Sequence, residues 1–228
     1  MKPTRVLIPV EGLDPVSGML HAAAPEVPGT ATAVILAHGA GNDMDHPLLI
    51  TVSEQLAGAG VTALRFNFPY KEKGRKAPDA QGTLVRTWRA VEAFVREGAG
   101  IEVDRLVCGG KSMGGRVASQ MAAEWVLPAE GLVFLGYPLH PPGKKERLRD
   151  AHLYGLHQPM LFFAGTRDPL CDLDLLRQVL GRIQAPWTLE TVEGGDHSFE
   201  TPKSSGVSKE VVYDRIARKT VAWVQALS

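Results

Sequence analysis

The hydrophobic pattern alternates between short apolar runs and longer amphipathic stretches along most of the chain. The short runs are rich in β-branched and aromatic residues, which is typical of buried strands. The longer stretches space their apolar residues three or four apart, as in residues 46–60, where Leu49, Val52 and Leu56 share one face. The pattern therefore predicts repeated β-then-α units.

These units predict an α/β fold with a mostly parallel central sheet. Strands are predicted at residues 32–39, 61–68, 104–110, 131–138 and 186–194 and within 157–169, and helices at 46–60, 82–100, 112–125, 173–183 and 208–227. The strands lack polar alternation, so we expect helices on both faces of the sheet. Residues 4–23 alternate more clearly around turn residues and predict an antiparallel N-terminal hairpin at the sheet edge.

The length of 228 residues suits one domain spanning residues 1–228. About twenty residues separate the strand predicted at 131–138 from the next one, which is too short for a cap domain. We therefore expect an open or shallow site. The tryptophans Trp125, Trp187 and Trp223 lie in amphipathic or strand contexts and are predicted to be core residues.

Charge and cysteine content narrow the class of protein. The 25 basic and 25 acidic residues balance, which argues against a nucleic-acid partner. Cys108 and Cys171 are far apart and lack metal-site spacing, so free thiols in a reducing compartment are expected, with a disulfide left open. The N-terminus does not resemble a signal peptide, and no apolar run is long enough to span a membrane. We expect a cytoplasmic protein, monomeric or homodimeric, with no membrane partner.

The stretch GGKSMGGR (residues 109–116) surrounds Ser112 with glycines between a predicted strand and a predicted helix. A phosphate-binding P-loop would need a longer gap between its two glycines, and a dinucleotide fingerprint would need G-x-G-x-x-G. The pattern that fits is G-x-S-x-G, in which a strained turn exposes a nucleophilic serine. The alternative is an ordinary turn with a helix-capping serine.

A serine nucleophile needs a base and an acid, which in this arrangement follow it in the order acid, then histidine. His197 follows the last predicted strand in GGDHSF, where the base is required. Asp168 follows the preceding strand in GTRDPL and is the predicted acid. Its rivals are Asp172 and Asp174, which resemble first-turn helix residues, and Asp196, which neighbours His197. The other histidines of the neighbouring connection, His140, His152 and His157, are predicted to be surface or packing residues.

Two backbone N–H groups are predicted to hold the oxyanion of an acyl-transfer intermediate. One is the N–H of Met113, directly after the nucleophile. The other comes from the glycine-containing loop after the strand predicted at 32–39, with Ala40 the first choice and Gly41 the second. His38 is expected to orient this loop.

The substrate is expected to lie at the carboxyl ends of the strands. Gly41, Asn67 and Tyr70 are the predicted substrate contacts, with Phe68 beside them. The segment that follows contains four basic residues: Lys71, Lys73, Arg75 and Lys76. They would attract an anionic substrate, although a solvated loop explains them more simply.

Five stretches together carry a resemblance to a known family: GGKSMGGR, AHGAGNDMDHP, RFNFPY, GTRDPL and GGDHSF. They resemble the α/β-hydrolase superfamily. Within it they are similar to a branch of small bacterial predicted hydrolases and to hydrolase-like domains of animal testis-expressed proteins and of a non-specific-lethal complex subunit. Dienelactone hydrolases are more distantly similar. The resemblance implies the α/β-hydrolase fold over nearly the whole chain.

The expected function is that of a serine hydrolase acting on a small-molecule acyl substrate, most simply a carboxylic ester. Neither a cofactor nor a metal is expected. Thioesterase or peptidase activity would use the same residues. The animal relatives that serve as complex subunits keep a second alternative open, a non-catalytic binding scaffold with the same fold.

Overall fold

An eight-stranded β-sheet runs through the computed structural model, which describes residues 2–23 and 31–227. The strands are β1 (Thr4–Ile8), β2 (Val16–His21), β3 (Thr32–Ala37), β4 (Thr62–Phe66), β5 (Arg105–Lys111), β6 (Gly131–Leu135), β7 (Met160–Gly165) and β8 (Trp187–Val192). Their order is β1-β2-β4-β3-β5-β6-β7-β8. The β1–β2 and β2–β4 pairs are antiparallel and the other neighbours are parallel. The mostly parallel sheet and the N-terminal hairpin are therefore confirmed.

The described chain places six α-helices between and after the strands. They are α1 (Pro47–Gly58), α2 (Pro69–Glu72), α3 (Gln81–Ala93), α4 (Met113–Ala123), α5 (Leu173–Leu180) and α6 (Lys209–Gln225). A π-helical turn, Phe94–Gly98, continues α3, and short 3₁₀ turns occupy Ala151–Gly155 and Lys203–Ser205. Each predicted helix is present. Its ends lie within three residues of the predicted bounds, except that α3 ends at Ala93, where the π-helical turn begins.

The sheet is buried on both faces because alternate strand residues enter different apolar cores. On β3, Ile35 packs in the core that contains α3, α4 and α5, whereas Val34 and Leu36 pack in the core that contains α1 and α6. Cys108 and Val107 of β5 divide in the same way. This two-sided burial explains why these strands are continuously apolar in sequence.

Two local predictions differ from the structure. The strand predicted at residues 61–68 ends at Phe66, because Phe68 donates its N–H to the His38 ring and Pro69 begins α2. Trp125 is 73% exposed and Trp187 is 40% exposed, so their prediction as core residues is wrong.

Backbone geometry accounts for the exposed tryptophans. Trp125 follows the end of α4 with a left-handed φ of 59°, and its ring lies against His157. Trp187 begins the edge strand β8, where neighbouring chain covers only one side. Trp223 packs against the core as predicted.

The connections at the carboxyl ends of the parallel strands contain little secondary structure. Between β6 and β7 the described chain forms only turns and the 3₁₀ segment Ala151–Gly155, so no separate cap domain lies there. None of the helices within residues 2–23 and 31–227 has the length and apolar character needed to cross a bilayer. The predicted domain extent, 1–228, includes residues 1, 24–30 and 228, which lie outside the described residues.

Candidate active site

The turn between β5 and α4 presents Ser112 in a strained backbone conformation. Ser112 has φ 50° and ψ −115°, a combination that residues with side chains rarely adopt. A Cβ on Gly110 would lie 2.1 Å from the carbonyl oxygen of Ala37, and one on Gly114 would lie 2.5 Å from it. Only glycine therefore lets β3, β5 and α4 approach this closely. The Ser112 side chain makes no capping bond to α4, so the helix-cap alternative is wrong.

Three side chains form a continuous hydrogen-bonded series at this edge of the sheet. The Ser112 Oγ lies 2.8 Å from His197 Nε2, and His197 Nδ1 lies 2.7 Å from Asp168 Oδ2. A carboxylate only accepts, so Nδ1 carries the proton and Nε2 is free to accept the hydroxyl hydrogen of Ser112. The structure thus brings together the three residues that the sequence pattern selected, with the imidazole in the tautomer that can take a proton from serine.

The Asp168 carboxylate is enclosed and fully engaged. Its side chain is 0% exposed, whereas that of His197 is 19% exposed. The second oxygen, Oδ1, accepts the backbone N–H of Leu170 at 2.8 Å. These bonds hold the carboxylate in one orientation toward the imidazole.

The rival acids have other partners. Asp172 caps α5 and pairs with Lys145, whose hydrogen bond lowers the pKa of that carboxyl. Asp174 pairs with Arg177 on the same helix. Asp196 accepts backbone N–H groups of its own loop. Within the described chain, the carboxylate that contacts the imidazole is that of Asp168.

The loop carrying His197 packs tightly onto the end of β7. A Cβ on Gly165 would lie 2.2 Å from the carbonyl oxygen of Gly195, and that oxygen accepts the N–H of Arg167 at 2.8 Å. Phe199 is fully buried with a left-handed φ of 62°, which anchors the chain just beyond the histidine. The imidazole is therefore positioned by backbone contacts on both sides.

Sequence reasoning missed a buried cation beside this series. Lys111 immediately precedes Ser112, is 2% exposed, and donates from Nζ to the carbonyl oxygen of His197 at 3.2 Å. Burial lowers the pKa of Lys111, and the carboxylates of Asp168 and Asp196 oppose that shift. Its position on the α1 and α6 face of β5 was readable from strand alternation, but its partner was not.

The two backbone N–H groups predicted for an oxyanion site, those of Met113 and Ala40, belong to segments that lie close to Ser112. Their contact with an oxyanion stays a prediction. Met113 is the first residue of α4, where an N–H has no partner within the helix. The loop containing Ala40 is adjacent, because a Cβ on Gly39 would lie 3.3 Å from Ser112 Cβ. The positive end of the α4 dipole also points toward this position.

The peptide that joins Gly39 to Ala40 is held by two side chains. His38 Nε2 accepts the N–H of Phe68 at 3.1 Å, so His38 Nδ1 carries the proton and donates to the Gly39 carbonyl at 2.8 Å. The Tyr70 hydroxyl donates to the same carbonyl at 3.3 Å. Because C=O and N–H of a trans peptide point in opposite directions, fixing this carbonyl fixes the direction of the Ala40 N–H.

The predicted substrate contacts have mixed outcomes. Tyr70 and Phe68 are 0% exposed, so the prediction that Tyr70 lines an open pocket is wrong: its ring is buried behind the loop that it supports. The Asn67 side chain accepts the N–H of Met44 at 2.8 Å and is partly exposed. Gly41 is exposed with φ 75°. For Asn67 and Gly41, contact with a substrate stays a prediction.

Part of the basic segment after α2 already has internal partners. Lys73 pairs with Asp14 at 3.3 Å, and Arg75 pairs with Asp79 at 2.5 Å. Among the described residues, no group of histidine, cysteine, aspartate and glutamate side chains has the arrangement of a metal site.

Comparison with known proteins agrees with the fold. A family model described as an alpha/beta hydrolase domain matches residues 30–225. Dienelactone hydrolase from Anabaena variabilis ATCC 29413 superposes with a TM-score of 0.75 at 20% identity, covering 100% of this chain and 99% of that chain. An α/β serine hydrolase without a lid from Xanthomonas campestris gives 0.71 at 18% identity, covering 98% and 95%.

A third solved structure is Est1E from Butyrivibrio proteoclasticus with ferulic acid bound. It gives a TM-score of 0.75 at 14% identity and covers 96% of this chain and 99% of that chain. At these identities the structural likeness is one of fold. The family model spans most of the sequence, and the chain therefore belongs to the alpha/beta hydrolase domain family.

Proposed function

We propose that this chain is a serine hydrolase that cleaves a carboxylic ester or a related acyl compound. One observation carries the proposal: a serine in a strained turn, with φ 50°, is hydrogen-bonded to an imidazole that is itself bonded to a buried carboxylate. A serine hydroxyl is a weak nucleophile unless a positioned base removes its proton. The 2.8 Å contact from Ser112 Oγ to His197 Nε2 supplies that base.

In the first half of the proposed reaction, Ser112 Oγ bonds to the acyl carbon while its proton moves to His197 Nε2. Asp168 stays ionised, holds the tautomer and stabilises the imidazolium. The Met113 and Ala40 N–H groups receive the negative oxygen of the tetrahedral intermediate. The bond to the leaving alcohol then breaks, the alcohol oxygen takes the proton from Nε2, and an acyl-serine remains.

In the second half, water replaces the alcohol. His197 Nε2 takes a proton from water as the water oxygen bonds to the acyl carbon. That proton then moves to Ser112 Oγ as the bond between the acyl carbon and Oγ breaks and the acid leaves. No step of this scheme requires a metal or a cofactor. A thioester or a peptide bond would follow the same steps with a thiol or an amine as the leaving group.

The relatives favour small acyl substrates. One of the structures similar to this chain is a dienelactone hydrolase and another was solved with ferulic acid bound. The absence of a cap domain within the described residues leaves the edge around Ser112 covered by loops alone. The two relatives support a small ester as the substrate.

A fluorophosphonate probe tests the proposal, because it reacts with a serine only where a base and oxyanion donors act together. We expect one adduct, on the peptide that carries Ser112, detected by mass mapping. The adduct should disappear in Ser112→Ala and form much more slowly in His197→Ala.

The chain offers a matched control in a second serine–histidine contact. Ser119 Oγ lies 2.9 Å from His152 Nε2, but Ser119 is fully buried and its turn is helical. Ser119→Ala should therefore be labelled like the wild type. A folded protein that stays unlabelled would favour the binding-scaffold alternative, and an adduct on Ser119 or Ser198 would show that the wrong serine was chosen.

A further inference from the structure

A buried lysine joins the strand of the proposed nucleophile to the loop of the proposed base. Lys111 is the last residue of β5 and directly precedes Ser112. It is 2% exposed, and its Nζ donates to the main-chain carbonyl of His197 at 3.2 Å. The two residues are 86 positions apart in the chain, so this bond is a tertiary contact. The residue beside the serine thus holds the residue that carries the imidazole.

The carbonyl and the ring of His197 both lie against the turn after β6. A Cβ on Gly136 would lie 3.2 Å from the His197 carbonyl oxygen and 3.6 Å from Cε1 of the ring. Among the described residues, the hydrogen-bond donor to this oxygen is Lys111 Nζ. Because the peptide group is planar, a held carbonyl fixes the plane that follows the His197 Cα. The bond from Lys111 therefore restrains the main chain from which the imidazole approaches Ser112.

Other hydrogen bonds of this loop set its internal shape and tie it to α6. Asp196 Oδ1 accepts the N–H groups of Ser198 and Glu200 at 2.7 Å and 3.0 Å. The hydroxyl of Tyr213, on α6, donates to the Ser198 carbonyl at 3.1 Å. Lys111 adds a tie to β5, which is the strand that ends at the nucleophile. Two successive carbonyls of the loop are thus held by side chains from different elements.

Stability alone does not account for a lysine at this position. Within residues 2–23 and 31–227, Lys111 has no carboxylate at ion-pair distance. Removing an ammonium group from water is costly, and an apolar side chain of similar length would fill the space without that cost. A side chain that has to hold a carbonyl needs N–H donors, and lysine supplies them at the end of a long stem.

We infer that Lys111 is a positioning residue, which holds His197 at hydrogen-bonding distance from the Ser112 hydroxyl. The inference rests on the proposed hydrolase function. Lys111 acts through the main chain of His197 and takes no part in the proton transfers. Because His197 moves a proton in both halves of the proposed reaction, displacement of its ring slows acylation and deacylation alike. A displacement of about 1 Å at such a contact is enough to cost about 100-fold in rate.

Lys111→Met tests the inference, because methionine keeps a stem of similar length but has no donor for the His197 carbonyl. We expect kcat for 4-nitrophenyl acetate to fall about 10- to 100-fold, with KM within about threefold of the wild-type value. KM changes little because both halves of the reaction slow together. A crystal structure of the variant should place Ser112 Oγ and His197 Nε2 farther apart than about 3.2 Å, the limit of an ordinary hydrogen bond. Thermal unfolding checks that the variant is folded.

Lys209→Met is the matched control, because it removes a second cation beside the same loop. Lys209 pairs with Glu200 at 2.7 Å and lies over the Tyr213 ring, 5.5 Å from its centroid. Its positive charge is close enough to lower the pKa of Lys111, although burial is the larger cause. We expect the control to keep kcat within about twofold of wild type, as is usual for a partly exposed ion pair, and to keep the distance from Ser112 Oγ to His197 Nε2.

The distance measurement separates this inference from the proposed function. Ester hydrolysis that is equally fast in the wild type and Lys111→Met would retain the hydrolase and overturn the positioning role. A slowed Lys111→Met with the wild-type distance, an equal loss of kcat in Lys209→Met, or a Lys111→Met that does not fold would also overturn it. These results would assign Lys111 to charge, to charge near the loop, and to stability, respectively.

A wild-type protein that neither hydrolyses esters nor reacts with a fluorophosphonate would overturn the hydrolase proposal. The crystal structures would then decide the positioning role on their own. A contact between Ser112 and His197 that is lost in Lys111→Met and kept in Lys209→Met would support that role, and a contact kept in both variants would overturn it.

Discussion

At the scale of single residues, the proposed function depends on side chains that neighbouring residues hold in one conformation. Ser112 has a positive φ that costs on the order of 1–3 kcal/mol and persists only because the surrounding backbone over-determines it. Its N–H donates to the Leu135 carbonyl at 3.3 Å and its carbonyl accepts from Arg116 at 3.1 Å. The hydroxyl is thus aimed by the main chain before any substrate binds.

Asp168→Asn tests the acid. The amide would keep the shape of the side chain but reverse the hydrogen bond to His197 Nδ1, so the imidazole would present the wrong tautomer to Ser112. We expect turnover of an activated ester to fall by a factor on the order of 10⁴ with little change in stability.

Asp172→Asn is the matched control, because Asp172 caps α5 and does not touch the imidazole. It should lose less than about tenfold in turnover and at most about 1 kcal/mol of stability, the usual cost of weakening a cap. If Asp172→Asn were the inactive variant, the assignment of the acid would be wrong.

Tyr70→Phe tests whether the buried hydroxyl aims the Ala40 N–H. Phenylalanine keeps the ring contacts with His38 and Phe68 but removes the donor to the Gly39 carbonyl. Loss of one positioning bond should lower kcat about tenfold or less and leave KM nearly unchanged, because the oxyanion forms only in the transition state. Thermal unfolding checks that the variant is folded, and an unchanged kcat would assign Tyr70 to packing alone.

At the scale of secondary-structure elements, β3, β5 and α4 pack backbone against backbone around Gly110 and Gly114. Gly110→Ala would place a Cβ 2.1 Å from the Ala37 carbonyl oxygen, at a residue with φ 147°. We expect this variant to lose several kcal/mol of stability, or to fail to fold, because rigid backbone lies on the clashing side. Urea unfolding measures the change.

Gly82→Ala provides the comparison for that experiment. Gly82 is exposed in α3, and a Cβ there would meet nothing within 4 Å. Alanine in a helix should raise stability by about 0.5–1 kcal/mol. Equal effects of the two alanines would mean that the β5–α4 junction has more room than the structure indicates.

The elements were predictable from the sequence where local pattern and tertiary contacts agree. The amphipathic period located α1, α3 and α6, and the apolar runs located β3 and β5. The end of β4 at Phe66 was not predictable, because the Phe68 N–H donates to the ring of the distant His38. The amphipathic pattern of residues 82–100 also did not distinguish the π turn Phe94–Gly98 from the helix before it. Trp125 followed an amphipathic pattern that stopped two residues earlier, at Ala123.

The candidate site was predictable to a similar extent. Ser112, Asp168 and His197 follow β5, β7 and β8, and this placement predicted the hydrogen-bonded series, because the carboxyl ends of these parallel strands face the same edge. Tyr70 was predicted to line the pocket and the burial of Lys111 was not predicted, since a polar side chain close to a motif gives no sign of whether it faces solvent or the interior. Their burial depends on long-range contacts with Gly39 and His197.

At the scale of the whole molecule, the fold buries or partly buries four histidines in surroundings that favour their neutral form. Burial is the main reason that the pKa of each of these imidazoles is lowered from 6.5 to about 4. The four residues are His21, His38, His46 and His152. His21 Nε2 has no hydrogen-bond partner among the described residues, so protonation there would leave a buried charge uncompensated. These rings link the stability of the fold to pH.

The sign of that linkage gives a prediction for acid unfolding. Between about pH 6.5 and 4 each of these histidines is protonated in the unfolded chain but neutral in the folded protein, so the unfolded state binds more protons. Stability should therefore be full above about pH 6.5 and should fall as the pH is lowered toward 4, by up to about 1.4 kcal/mol per pH unit for each such histidine.

Urea unfolding at about pH 7.5, 6 and 5 measures how steeply the free energy of unfolding changes with pH. His21→Gln should make this dependence shallower, whereas His157→Gln, at an exposed position, should not change it. A free energy of unfolding that stays level from about pH 7.5 to 5, or a slope that both variants reduce equally, would contradict the linkage to buried neutral histidines.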